Sequence, residues 1–477
     1  MSLDSFEFLL FLPLVFFLYW AIPKKYVSVK NLYLIIVSYL FYGFADWRFC
    51  LLLFGISAVT YFSGKYIYKI GGGKKRSRWI LIFNITFCLL VLCIFKYLNF
   101  FAEQFAGLLG SESHLFKTLL LPVGLSFYVF MAISYTIDMY RGAVTVRHTF
   151  VDFFAYISFF PHLLAGPIDR GREIIPQLQK GRSFSYDMAA DGMRQILCGL
   201  FKKLVIADNI GLSVDAVWGT YSQHHSIVLA VTAIFYSIQI YADFSGYSDM
   251  AIGVGKLFGI RLRQNFSYPY FSRNISEFWR GWHQSLTSWF TEYLYIPLGG
   301  NRKGKLRTIL NTLIVFTLCG FWHGANWTFV FWGLVNGLLF IPLLVFSHLK
   351  TQWKNKPLQW DMSNIMAVLV TFLCVTFCWI FFRAPSMSEA VGYIHCLFSN
   401  WLTPFTLAPL TESYFTPLFF LLVGICMVVE WRSRLREFPL AGLADKPQWI
   451  RWTVYLSLIL LIFCYRTTAG TFIYQNF

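Results

Sequence analysis

The chain has 477 residues, of which 57% are hydrophobic, 20% aromatic and 13% charged, with a mean hydropathy of +0.56. Soluble domains carry about a quarter charged residues, so composition excludes a soluble enzyme or binding module and points to an all-α polytopic membrane protein. The formal net charge of +17 comes from Lys and Arg gathered in short connections between apolar runs, a positive-inside distribution that predicts a lipid bilayer and no nucleic acid as partner.

Phe8 to Trp20 is the first apolar run, and Asp4 and Glu7 precede it with no basic segment or small-residue cleavage site, which argues against a cleaved signal peptide. Lys24, Lys25 and Lys30 follow, placing that connection in the cytoplasm and the N-terminus outside. Asn31 to Ala45 crosses back and Phe49 to Tyr66 returns to the most basic inner loop, where Lys65, Lys69, Lys74, Lys75, Arg76 and Arg78 surround Gly71 to Gly73. Trp79 to Lys96 exits, and Phe100 to Phe116 is too polar for a span and reads as an outer interfacial helix. Leu119 to Tyr140 returns with Ser126, Tyr128, Ser134, Tyr135 and Asp138, residues that knit helices together in a membrane.

Phe153 to Gly166 lies between Arg141 and Arg147 on one side and Arg170, Arg172, Lys180 and Arg182 on the other. A single crossing would leave one basic cluster outside, so the breaks at Pro161-His162 and Gly166-Pro167 predict a re-entrant loop. Met188 to Ala207 mixes Arg194, Lys202 and Lys203 with apolar residues, as an amphipathic helix on the inner face does. Ile227 to Ile240 then runs into Tyr241 to Asp249, where Asp243 and Asp249 need backbone N–H or Arg partners, or line a cavity. Ile275 to Tyr295, with Trp279, Trp282, Trp289, Tyr293 and Tyr295, reads as an interfacial helix at headgroup level that carries His283.

Thr308 to Phe346 is one long apolar run interrupted by Trp322-His323-Gly324-Ala325-Asn326. As a single helix its roughly 39 residues would extend about 58 Å, nearly twice a bilayer core, so it must fold back or break, and the break falls at His323. Arg302, Lys303, Lys305 and Arg307 before the run and His348, Lys350, Lys354 and Lys356 after it put both ends in the cytoplasm. Ser363 to Phe382 exits, residues 384–431 hold no Lys or Arg and include an outer loop, and Phe415 to Trp431 returns to Arg432, Arg434 and Arg436. A last span, Trp449 to Tyr465, leaves the C-terminus outside, for about ten to twelve crossings in one integral membrane domain over 1–477. The ten cysteines read as packing, Cys374 and Cys378 on one helix face, and no His/Cys set has metal spacing.

No Walker A loop, G-x-S-x-G elbow or H-E-x-x-H stretch is present. An ionisable group inside a membrane segment is a site candidate by default, and a neutral imidazole can take a proton from a hydroxyl and return it to a leaving group, which suits acyl transfer from a thioester to an alcohol. Asn326, three residues beyond His323, would share its helical face and orient the ring or hold an oxyanion.

Several long segments resemble the membrane-bound O-acyltransferase family, and its bacterial polysaccharide and peptidoglycan O-acetylating branch in particular. They are Trp279 to Arg302, Phe321 to Phe329, Phe127 to Gly142, Phe160 to Arg170, Tyr241 to Met250 and the terminal Phe472 to Phe477. The resemblance implies a ring of helices around a central tunnel open to both compartments, with His323 the catalytic histidine and His283 a second functional one. It makes Asn326, Trp322, Arg280, Tyr241 and Asp243 supporting, tunnel-lining residues, with no metal. It further implies acetyl-CoA as acyl donor with no bound cofactor, a bacterial inner-membrane location and an exported esterase-like (SGNH-type) partner. Relatives usually carry paired arginines where this chain has Arg280-Gly281, and Arg-Asp where it has Thr291-Glu292. D-alanyl transfer from a carrier protein to teichoic acid, acylation of a lipid, and transport without covalent chemistry are the alternatives.

Overall fold

A computed structural model describes residues 1–109, 120–144, 148–346, 361–407, 410 and 417–466. Arg147, the basic stretch from His348 to Lys356, the terminal Phe472 to Phe477, the far end of Phe100 to Phe116 and part of the expected outer loop lie outside these residues.

In chain order the helices are α1 (Phe6–Ala21), α2 (Val27–Gly43), α3 (Trp47–Ile70), α4 (Lys75–Leu92), α5 (Leu98–Leu109), α6 (Leu125–Arg141), α7 (Phe150–Ile157), α8 (Phe160–Leu163), α9 (Gly171–Leu178) and α10 (Tyr186–Leu200). They continue with α11 (Asp208–Trp218), α12 (Ser226–Leu257), α13 (Ile275–Gly281), α14 (Gln284–Phe290), α15 (Lys305–His323), α16 (Trp327–Val345), α17 (Met362–Arg383), α18 (Met387–Ser399), α19 (Pro417–Ser433) and α20 (Gln448–Tyr465). No strand occurs among the described residues, as expected where backbone polar groups must be satisfied within their own segment. Among the described residues, seven helical stretches are long and apolar enough to cross a membrane: α3, Lys75–Phe105, α12, α15, α16, α17 and α20. The apolar α1 and α2 are shorter, with 16 and 17 residues, and the higher sequence count included such elements.

Phe100 onward is not the separate interfacial helix expected from its polarity. A π turn, Cys93–Tyr97, carries α4 into α5 without a break. The chain divides into two compact units, residues 1–196 with 247–263, and residues 197–246 with those from 264 onward.

In the first unit polar side chains tie the helices together. Thr136 donates to Asn84 at 2.8 Å, Lys96 to Ser126 at 3.2 Å, and Arg172 pairs with Asp138 at 3.4 Å. Helices α7 and α8 have eight and four residues, too short to cross, in keeping with a re-entrant path. At its turn His162 is fully buried, with Nδ1 3.0 Å from an Asp169 carboxylate oxygen and Nε2 2.9 Å from the Tyr156 carbonyl. These two contacts hold the ring at the turn, and this histidine is a structural clasp. Asp249 accepts from the Gln195 amide at 2.9 Å, where sequence reasoning offered backbone N–H or arginine.

In the second unit Lys202 and Lys203 are buried, so the solvated basic face expected for Met188 to Ala207 is absent there. Lys203 Nζ lies 2.7 Å from Asp208 and 2.9 Å from Asp243, and Lys202 Nζ lies 3.0 Å from Glu430. A charge removed from water must find an opposite partner, and these pairs supply one. Asp243 therefore meets a lysine, where sequence reasoning offered backbone or arginine.

Candidate active site

The apolar run from Thr308 to Phe346 does fold back: α15 ends at His323, Gly324 is extended, and α16 starts at Trp327. Glycines let the two backbones close. A Cβ added at Gly320 would stand 2.1 Å from the Phe329 carbonyl oxygen, and one at Gly333 would stand 2.3 Å from that of Phe316. His323 is thereby held at a helix terminus against α16, with its ring among Trp322, Trp332 and Phe382 at centroid distances of 4.9, 5.3 and 5.3 Å. Only 2% of the residue is exposed. The three aromatic side chains enclose this ring.

His283 is also buried, at 0% exposure, and it is not on a continuous interfacial helix. The helix expected from Ile275 to Tyr295 breaks at His283, which has φ 43° and separates α13 from α14. Trp279, Trp282 and Trp289 are correspondingly buried among protein side chains. Nδ1 of His283 lies 2.9 Å from Asn265 Oδ1, which also accepts from the Ser285 hydroxyl at 2.9 Å. An amide oxygen can only accept, so Nδ1 carries the proton and Nε2 presents the lone pair. Burial lowers the pKa of this imidazole to about 3, which keeps it neutral.

Both imidazoles touch Trp322, at 4.9 Å for His323 and 6.3 Å for His283. A second aromatic path joins them, from Trp282 through Trp379 at 4.9 Å and Trp332 at 5.5 Å to His323. Phe244 of α12 stands edge-on to His283 at 4.6 Å. One turn away on α12, Tyr241 donates to Glu430 at 3.0 Å and packs near Trp282 at 6.2 Å. Trp322 therefore borders both histidines, Tyr241 packs against Trp282 beside His283, and Asp243 pairs with Lys203.

Asn326 does not share a helical face with His323, because the helix has already ended. Its Oδ1 accepts from the Thr328 N–H at 3.1 Å, capping α16, and its Nδ2 donates to the Pro385 carbonyl at 2.7 Å. These bonds account for the amide as a structural brace. Arg280 is exposed at an apolar cavity of about 260 Å³ that also reaches Trp279, Phe316 and Cys319, the last being one helical turn before His323. The adjacent Gly281 has a packing reason: a Cβ there would meet the Ser267 carbonyl oxygen at 2.8 Å.

Sequence reasoning missed Asn265, Trp332, Phe382 and Glu430. Glu430 carried a signal, as a carboxylate within an apolar helix that also holds no basic residue before Arg432. Asn265, in a polar connection, carried none.

The description of the membrane-bound O-acyltransferase family matches residues 111–386. Over 95% of its length and 94% of the relative's, the chain is 35% identical to a "Probable alginate O-acetylase" of Pseudomonas putida. It is 32% identical to the "Peptidoglycan O-acetyltransferase" of Helicobacter pylori, over 98% of this chain and 95% of that one. A "Teichoic acid D-alanyltransferase" of Bacillus subtilis is 27% identical over 69% of this chain and 82% of its own.

Proposed function

Because the chain belongs to the membrane-bound O-acyltransferase family and is a multi-pass membrane O-acetyltransferase, we propose that it passes an acetyl group from cytoplasmic acetyl-CoA to a hydroxyl acceptor on the far side of a bacterial inner membrane. The acceptor is an extracytoplasmic polysaccharide such as alginate, or peptidoglycan, reached through an exported esterase-like partner. The N-terminus lies outside, by the distribution of basic loops.

His323 acts as the general base. It takes the acceptor's hydroxyl proton as the oxygen attacks the thioester carbonyl; the tetrahedral intermediate then collapses, the C–S bond breaks and the proton returns to the departing thiolate. The carbonyl end of α15 stabilises the positive charge that grows on the ring during the first transfer. His283, neutral with Nε2 free of a proton, assists from beside Trp322. The cavity beside Cys319 suits the acetyl-thioester end, and Arg280 at its rim suits the donor's phosphates. At about 260 Å³ it falls below the ~300–1,000 Å³ of most small-molecule sites, which favours a two-carbon acyl group over a fatty chain.

The observation that carries this reading is the placement of His323 at the broken tip of the α15–α16 hairpin, boxed by aromatic rings one turn from that cavity. The test is His323→Ala at equal abundance in the membrane, with cell-surface O-acetyl groups quantified by mass spectrometry. Loss of acetylation is expected, and acetylation at the wild-type rate overturns the assignment. Labelling from acetyl-CoA, set against a carrier-bound D-alanyl thioester, separates acetyl from D-alanyl transfer.

A further inference from the structure

A second cavity of the same unit, about 620 Å³ and apolar, lies away from the histidines between α17 and α19. Its floor is the short turn Pro269–Phe271, where Tyr270 meets Phe372 of α17 at 5.1 Å and Phe271 meets Trp431 of α19 at 5.2 Å. Val368, Leu369 and Val428 line its walls, and its residues include the first turn of α17 and the end of α19, at Asn364 and Arg432. These polar groups have a distinctive state. Arg432 is exposed and makes no ion pair or hydrogen bond among the described residues, while Arg434 lies over the Trp431 ring at 4.1 Å. The neighbouring carboxylates are engaged: Asp361 caps α17 through the Asn364 N–H at 2.8 Å, and Glu430 holds Lys202 and Tyr241. Asn364 is 6% exposed; its Nδ2 donates to Asp361, and its Oδ1 is a buried acceptor with no partner among the described residues.

We propose that this cavity is a binding site for one phospholipid of the phosphatidylglycerol class. One of its two acyl chains lies against Val368, Leu369 and Val428, the phosphate pairs with Arg432 at the end of α19 near the N-terminal turn of α17, and a headgroup hydroxyl donates to Asn364 Oδ1 after a small turn of the amide. An apolar slot explains the chain, a cation with no protein counter-charge explains the anion, and an unmatched acceptor explains the headgroup donor. The ligand has a structural consequence, because the floor residue Tyr270 is 5.3 Å from Tyr241 and 6.0 Å from Trp282, which precedes His283. Filling the cavity therefore braces the shelf that carries the second histidine. The site stands independently of the acyl-transfer reading, since it is measured by binding.

The full-length protein is purified in detergent and its retained lipids are identified by native mass spectrometry. Its thermal unfolding is then compared in nanodiscs of phosphatidylcholine with and without phosphatidylglycerol. Retention of one phosphatidylglycerol and a higher midpoint with that lipid are expected. Arg432→Ala cuts retention about fivefold. Val368→Trp, which fills the cavity with an apolar ring, abolishes retention while leaving the midpoint in phosphatidylcholine at or above the wild-type value. Equal retention of phosphatidylcholine, or phosphatidylglycerol retention unchanged in both variants, overturns the proposal.

Discussion

Asn265 sets what His283 can do, because its amide oxygen fixes the proton on Nδ1 and leaves Nε2 as the acceptor. Asn265→Ala removes that constraint, and acetyl transfer falls about 10²-fold, within the range of general acid–base contributions, with stability lower by about 1–3 kcal/mol for the unmatched donor. Rates at matched abundance, with thermal unfolding, check this. His283 lies outside the spanning helices, and burial takes its pKa from 6.5 to about 3. The folded protein thus holds this ring neutral while the unfolded chain protonates it, so its contribution to stability is complete above about pH 6.5 and is lost as pH falls toward 3. His283→Asn flattens that acid limb in unfolding midpoints measured across pH. Under the proposed chemistry, the aromatic rings around His323 keep water from the thioester. Phe382→Ala opens this enclosure, and acetyl-CoA hydrolysis without acceptor rises several-fold relative to acetyl transfer.

At the scale of an element, the α15–α16 hairpin is held by backbone contact, with no room for side chains at Gly320 and Gly333. Gly333→Ala overpacks the seam and destabilises the protein by about 1–3 kcal/mol, with activity lost because His323 sits at the tip of the displaced helix. Unfolding and activity measured on one preparation show both effects. The buried lysines behave differently. Lys203→Met leaves Asp208 and Asp243 without their cation and costs about 3–5 kcal/mol, and a second change, Asp243→Leu, recovers part of it, as a double-mutant cycle in unfolding reveals.

Over the whole molecule, basic loops set the orientation and apolar helices set the crossings. Under the positive-inside distribution, a cysteine placed at Gly73 in a cysteine-free background reacts with an impermeant maleimide from the cytoplasmic face only. Reaction from outside reverses the assigned orientation. Seven stretches among the described residues meet the length and hydropathy of a crossing, while α7, α8, α13 and α14 are short helices with buried polar turns, each at a histidine or the Pro-containing segment beside one. Irregular backbone is tolerated where protein surrounds it, and His162 and His283 are fully buried in this way.

Composition and hydropathy determined an all-helical membrane protein, the resemblance of its motif segments implied an O-acetyltransferase, and length against bilayer thickness determined that Thr308 to Phe346 breaks, with the break at His323. These are local or cumulative properties, legible because a membrane admits few backbone solutions. Tertiary structure alone decided which polar groups meet. Lys202 and Lys203 look solvated in their own helix and are buried by carboxylates up to 228 residues away at Glu430; Trp279 and Trp282 look interfacial and form the wall of the site; Asn326 looks like a partner of His323 and is a helix cap. Asn265 became visible only when the break at His283 turned the ring toward it. Side-chain partnership depends on distances between segments remote in sequence, and periodicity within a segment carries no information about them.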